Sequence, residues 1–277
     1  MTVGIAAICR RDGEPCVVAA ADRMVTVGRT GGIEYEDTGS KAEIIEGAAG
    51  LRATAIGAGT STYIDRVHRE VRSYLESDEN ELPSTMEDLR GFYLVALQTV
   101  VRETINNQVM EPFGYTLQDL GNDDVDIPGA IQQNIAQQVN EIQTQLEEMM
   151  TILLAGVGRD KGAIYKLAGT DYSEFSDMGY AVVGSGSNSA RLTFIRRQYD
   201  YHLEYRKGVF TVLEAKAQAE ERQGVGQQMD IISLEEGNER LFEEDEQERL
   251  RQKLQKIEAE EREARENVMN EWDSNSS

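Results

Sequence analysis

The sequence predicts an α+β fold, a four-layer αββα sandwich of two antiparallel sheets with helices on both outer faces. Three observations carry this expectation. The elements come in blocks of strands, helices, strands, helices and a last strand, without the strand–helix alternation of a parallel sheet. The strand runs are short, small and apolar, and turn signals such as Asp12-Gly13 separate them. The helical stretches place apolar residues at spacings of three and four.

Residues 2–9 and 16–21 form the first strand pair, joined across Asp12-Gly13. A glycine-rich, charged loop follows over residues 28–39. Residues 41–45 and 51–56 make a second pair around Gly47 and Gly50. Ile64, Val67, Val71, Tyr74 and Leu75 share one face of a first helix. Pro83 opens a second, with Ser84 and Glu87 as a capping box and Leu89, Phe92, Ala96 and Val100 inward. Residues 107–128 break the pattern with Pro112, Gly114 and Pro128. Ile131, Ile135, Val139, Ile142, Leu146 and Met149 then form a helical stripe, a packing signal rather than a chemical one. Strands return over 151–157, 162–167, 173–175 and 180–183. A helix with Leu192, Ile195 and Tyr199 comes next, then one from Val212 to about Arg222 opened by a Thr211–Glu214 capping box. Residues 229–232 are the last strand. The organisation is thus a domain over 2–234 with a helical insertion at about 107–149, followed by a charged, partly helical or disordered tail over 235–277. Leu250, Leu254, Ile257, Ala264 and Val268 hint at a seam in that tail, which Glu261 interrupts.

Composition narrows the function. The 277 residues carry 50 acidic and 28 basic side chains, a formal charge of -22. Such a surface repels phosphate backbones and anionic lipid, so neither nucleic acid nor membrane is an expected partner. Cys9 and Cys16 flank a turn and read as small buried hydrophobes of a reducing compartment, although a hairpin would also let them approach. His68 and His202 are the only histidines. With no local ligand cluster, neither a zinc site nor another cofactor is expected. Gly184-Ser185-Gly186-Ser187 lacks the Gly-Lys-Ser/Thr of a phosphate loop. No leader or spanning apolar run is visible, so the expected location is the cytoplasm.

Five landmarks stand in a familiar order. They are Thr2-Val3-Gly4, the run from Val17 through Ala21-Asp22-Arg23 to Thr26 and Gly28, Ser40-Lys41, Ala58-Gly59 before a helix, and Leu154-Ala155-Gly156 followed by 183–190. Over roughly residues 2–106 and 150–234 the chain resembles proteasome β-subunits, threonine peptidases with the N-terminal-nucleophile (Ntn) hydrolase fold. Bacterial proteasome-like peptidases of the HslV and Anbu types, and archaeal proteasomes, belong to the same comparison. The resemblance implies that Thr2, freed by removal of Met1, is the nucleophile. A free α-amine titrates near ~7.7–8.0 and can take the hydroxyl proton itself. Lys41 matches the active-site lysine and Asp22 the carboxylate that holds it. Gly59 matches the residue whose N–H stabilises the oxyanion, and Ser185 the serine beside the threonine amine. Taken one at a time, these are also a strand residue, a strand-end ion pair, a turn glycine and a loop serine.

The chain departs from the pattern in two places. Glu14 and Pro15 lengthen the first hairpin, and the lead into Val3-Gly4 is short, which would displace Thr2. Where the family has Arg-Asp-x-x-Ser-Gly-Gly, this chain has Glu221-Arg222-Gln223-Gly224-Val225-Gly226, with Val225 at the serine position and no aspartate. The resemblance implies a peptide or unfolded-protein substrate, a homo-oligomeric ring or double ring, and an ATPase or other regulatory partner. Two alternatives share the scaffold: a noncatalytic assembly subunit, and an Ntn transpeptidase that passes the acyl group to an amine.

Overall fold

The structure, a computed structural model, describes residues 2–27, 33–36, 41–77, 80–121, 125, 127–159, 161–220, 225–226 and 228–275. Its first sheet runs in the order β10 (Tyr180–Gly184), β1 (Val3–Arg11), β2 (Glu14–Asp22), β11 (Met229–Glu235), β12 (Asn238–Leu241). The second runs β5 (Ala42–Glu46), β6 (Arg52–Gly59), β7 (Met150–Gly158), β8 (Lys161–Ala168), β9 (Asp171–Glu174). Every pairing in both sheets is antiparallel. A small hairpin, β3 (Met24–Val27) with β4 (Ile33–Glu36), stands beside them.

Three apolar layers hold the four structural layers together. Between the sheets lie small and branched side chains from both, among them Ala6, Val17, Ala19, Ile56, Leu153 and Ile232. Alternation along each strand sends the other residues outward to meet helices. The outer face of the second sheet is covered by α1 (Ser61–Leu75), α2 (Met86–Ile105) and α3 (Gly129–Met149). The outer face of the first is covered by α4 (Ser187–Arg196), α5 (Tyr205–Glu220) and the start of α6 (Glu244–Asn275). Phe194 of α4 is fully buried and stacks on Tyr180 of β10 with ring centroids 4.3 Å apart. Such burial contributes about 2–3 kcal/mol. The expected αββα sandwich is therefore the observed one.

Local boundaries differ from expectation in instructive ways. The capping box of α2 is set one residue later than expected: Thr85 caps and Asp88 reaches back, not Ser84 and Glu87. On the same helix Tyr93 is fully buried, while Phe92 is only partly covered and stacks on Tyr74. Helix α5 begins at Tyr205, so Thr211 does not cap it; its hydroxyl donates to the Lys207 carbonyl one turn back. Helix α4 buries Ala190, Thr193 and Phe194 and leaves Leu192 and Ile195 exposed. Within the break after α2, a π turn over Asn106–Met110 still buries Val109 and Met110. Past residue 234 the first sheet continues into β12, and Phe242 and Leu254 are buried against it. Of the loop expected over residues 28–39, 33–36 form β4, and the rest lie outside the described residues. Cys9 and Cys16 face each other across β1 and β2 as buried free thiols. Among the described residues no helix is long and apolar enough to cross a membrane.

Candidate active site

The strand register brings the five expected residues to one end of the sandwich. Val3 pairs with Gly184 and Gly4 with Ala21, so Thr2 lies between the end of β2 and the turn after β10. Those two neighbours are Asp22 and Ser185. Lys41 enters from the start of β5 in the second sheet, across the interior. Gly59 closes β6 beside it. Glu14 and Pro15 pair with Arg11 and Arg10 at the far end of the hairpin. Their insertion therefore leaves the Thr2 end of β1 in register.

Lys41 is the hub. Its Nζ donates to Thr2 Oγ1 at 2.9 Å and to Asp22 Oδ1 at 3.2 Å. The Asp22 side chain is wholly buried and that of Lys41 is 17% exposed. A buried carboxylate needs partners for its remaining lone pairs. Asp22 has them in the Val3 N–H, 3.1 Å from Oδ1, and the Gly226 N–H, 3.3 Å from Oδ2. Ser185 Oγ accepts from the Thr2 backbone nitrogen at 3.3 Å and reaches the Thr2 carbonyl at 3.4 Å. The Thr2 hydroxyl thus sits against an ammonium, and its backbone nitrogen against a hydroxyl.

A cleft of about 280 Å³ opens over this group, lined by Thr2, Ala58, Gly59, Glu148, Thr151, Gly184 and Ser185. Two glycines shape it. Gly59 has φ +132°, and a Cβ there would collide with the Met149 carbonyl oxygen. Gly184 has φ +87°, and a Cβ there would collide with the Thr2 carbonyl. Both positions combine a left-handed backbone with close approach of another segment's carbonyl, which glycine alone accommodates. A larger cavity of about 650 Å³, lined by Arg10, Glu87, Arg159, Lys161 and Glu174 among others, lies at the opposite end of the strands. The smaller one is the candidate site, because beside it the Thr2 hydroxyl meets the Lys41 ammonium, which is itself paired with the buried Asp22 carboxylate.

The sequence signal missed three participants. Glu148, at the end of α3, lines the cleft from the stretch that reads as an insertion. Gly226 supplies an N–H to Asp22 from the segment that lacks the family's Asp and Ser. Lys216 of α5 holds the Gly226 carbonyl at 2.6 Å. Of that segment Val225 is buried, and 221–224 lie outside the described residues, as do Met1 and Ser40.

No protein-family model matches the chain, and no curated protein matches its sequence. Solved structures do match its fold. An Anbu Gly-1 mutant from Hyphomicrobium sp. strain MC1 superposes with a TM-score of 0.65 at 13% identity, over 95% of this chain and 96% of that one. Anbu, described as an ancestral β-subunit, from Yersinia bercovieri gives 0.63 at 11% identity over 93% and 95%. A helical assembly of the Anbu complex from Pseudomonas aeruginosa gives 0.62 at 12% identity over 96% of both chains. The chain therefore has a proteasome-like fold of the Anbu kind along nearly its whole length.

Proposed function

We propose that this protein is a threonine-type peptidase or amide-bond hydrolase that uses Thr2 as nucleophile once Met1 is removed. The observation that carries the reading is the Lys41 ammonium placed between Thr2 Oγ1 and Asp22 Oδ1. A positive charge 2.9 Å from the hydroxyl favours its deprotonated form as it attacks. The Thr2 oxygen adds to the substrate carbonyl carbon, and its proton passes to the free Thr2 amine. Gly59, which lines the cleft, is taken to give its N–H to the oxygen that gains charge. The amine then returns the proton to the leaving nitrogen, the amide C–N bond breaks, and an ester to Thr2 remains. Water, activated by the same amine, cleaves that ester. Ser185 Oγ, already 3.3 Å from the Thr2 nitrogen, holds the amine in the required direction.

The same reading takes the substrate to be a peptide or unfolded segment and the working form to be a self-assembly. Support for assembly is the helical form of the Pseudomonas aeruginosa Anbu complex, whose fold this chain shares. Intact-mass spectrometry of the purified protein, with and without an electrophile that traps N-terminal threonine, tests the proposal. The expected result is loss of Met1 and one adduct on Thr2, absent in Thr2→Ala. A retained Met1, or a Thr2→Ala protein that cleaves peptides at the wild-type rate, overturns it.

A further inference from the structure

Lys216 is fully buried on α5, a place where lysine is costly unless its charge is paired. Its Nζ donates to Glu220 Oε1 at 2.7 Å, one turn along the same helix, and to the Gly226 carbonyl at 2.6 Å. Gly226 in turn gives its N–H to Asp22 Oδ2. One residue thus joins the buried ammonium to the buried carboxylate. Glu220 is also held from outside, by Arg251 of α6, with Nη2 3.1 Å from Oε1. The contacts form a continuous series from Arg251 through Glu220, Lys216, Gly226, Asp22 and Lys41 to Thr2.

We propose that Lys216, anchored by Glu220, is a positioning residue that fixes the Gly226 peptide on Asp22 Oδ2 and so keeps Asp22 Oδ1 aimed at Lys41. Asp22 has two oxygens and must present one of them to Lys41. The Gly226 N–H occupies the other, and that peptide needs its own restraint. Lys216 supplies it through the carbonyl on the opposite side of the same residue. Among the described residues, the charged groups around Lys216 are Glu220 on its own helix, Asp22 on β2 and Arg251 on α6. Burial pushes the Lys216 ammonium below the ordinary lysine value, while Glu220 and Asp22 oppose that fall. An apolar side chain of similar length would fill the space without this cost, so the buried charge is explained by what it holds. The consequence for rate rests on the function proposed above; the geometric claim does not.

The test follows Lys41 in wild type and Lys216→Met by NMR of protein with labelled lysine, using Lys41→Arg to assign the signal. Methionine keeps the volume and removes the donor. If Lys216 positions Asp22, its loss frees Asp22 from Lys41, and the Lys41 titration midpoint falls. If Lys216 is only a distant like charge, its removal raises that midpoint. A rise or no change overturns the proposal. In parallel, the rate of Thr2 labelling by the electrophile should fall about ten- to a hundredfold, with the half-saturating concentration unchanged. An unchanged rate also overturns it. Should wild type take no label at all, the proposed function fails, and the Lys41 titration still decides the role of Lys216. If Lys216→Met does not fold, Glu220→Gln replaces it. The Gly226 amide should then exchange with solvent several-fold faster than in wild type, and unchanged protection overturns the proposal.

Discussion

Lys41 Nζ lies 2.9 Å from Thr2 Oγ1, and the two residues come from different sheets of the sandwich. The contact exists only when both sheets are stacked in register. It is therefore a consequence of the whole fold rather than of a local motif. Lys41→Met keeps most of the side-chain volume and removes the charge. It should slow electrophile labelling of Thr2 by at least about a hundredfold, the scale of a lost electrostatic stabiliser at the reacting oxygen. Because Lys41 also neutralises buried Asp22, the variant should lose stability as well. Labelling kinetics beside a thermal melt separate the two effects. A variant that labels at the wild-type rate would remove the ammonium from the mechanism.

Gly59 is constrained twice, by φ +132° and by the Met149 carbonyl where a Cβ would go. Gly59→Ala must twist the end of β6 away from β7, at a cost of about 1–3 kcal/mol for the backbone alone. The Thr60 N–H, which donates to the same carbonyl at 2.9 Å, should be disturbed with it. A lowered denaturation midpoint together with lost labelling is the expected pair of results. An unchanged midpoint would contradict the close approach.

The candidate residues were legible in the sequence through the resemblance to proteasome β-subunits, and strand ends are what bring them together. Thr2, Asp22 and Ser185 lie at the ends of short apolar runs, and pairing of those runs leaves little freedom in where the ends meet. Lys41 and Gly59 likewise bound a strand pair. Glu148, Gly226 and Lys216 were not legible, since their roles depend on how α3 and α5 dock on the sheets. Nothing in local spacing distinguishes Lys216 from a solvated helical lysine. The phase of α4 is likewise set by docking on the sheet. Leu192 and Ile195 have a helical spacing, but so do Ala190, Thr193 and Phe194, and the large ring of Phe194 decides which stripe turns inward. Strand β12, with Asn238, Glu239 and Arg240, looks like solvated chain because it is a polar sheet edge.

The shifted capping box gives a clean comparison of neighbouring residues. Thr85 Oγ1 accepts the Asp88 N–H at 3.1 Å, and Asp88 Oδ2 accepts the Thr85 N–H at 3.1 Å. Thr85→Ala should therefore cost about 1 kcal/mol. Ser84, one residue outside the helix, makes only long contacts to Asp88 and accepts from Arg159 on the surface. Ser84→Ala should cost a few tenths of a kcal/mol at most. Urea midpoints of the two variants check the order, and equal losses would argue against Thr85 as the cap.

Acid sensitivity should have a component at Glu43, in the strand that Lys41 leads into. His68 Nδ1 lies 2.6 Å from Glu43 Oε2, and Arg72 Nε donates to Oε1 at 2.6 Å. Burial pushes the Glu43 carboxyl up, but the contacts from His68 and then Arg72 outweigh it and hold the group below the ordinary glutamate value. A carboxyl depressed in the folded state adds stability above its unfolded pKa, near ~4.3. That stability disappears as pH falls through the lower folded value. Glu43→Gln should consequently melt below wild type at pH 7, and the gap should close as the pH drops through that acid window. Melting curves at neutral and acid pH measure it. A gap of the same size at both would mean that the cost comes from packing or hydrogen-bond geometry, and that the Glu43 charge contributes nothing through its titration.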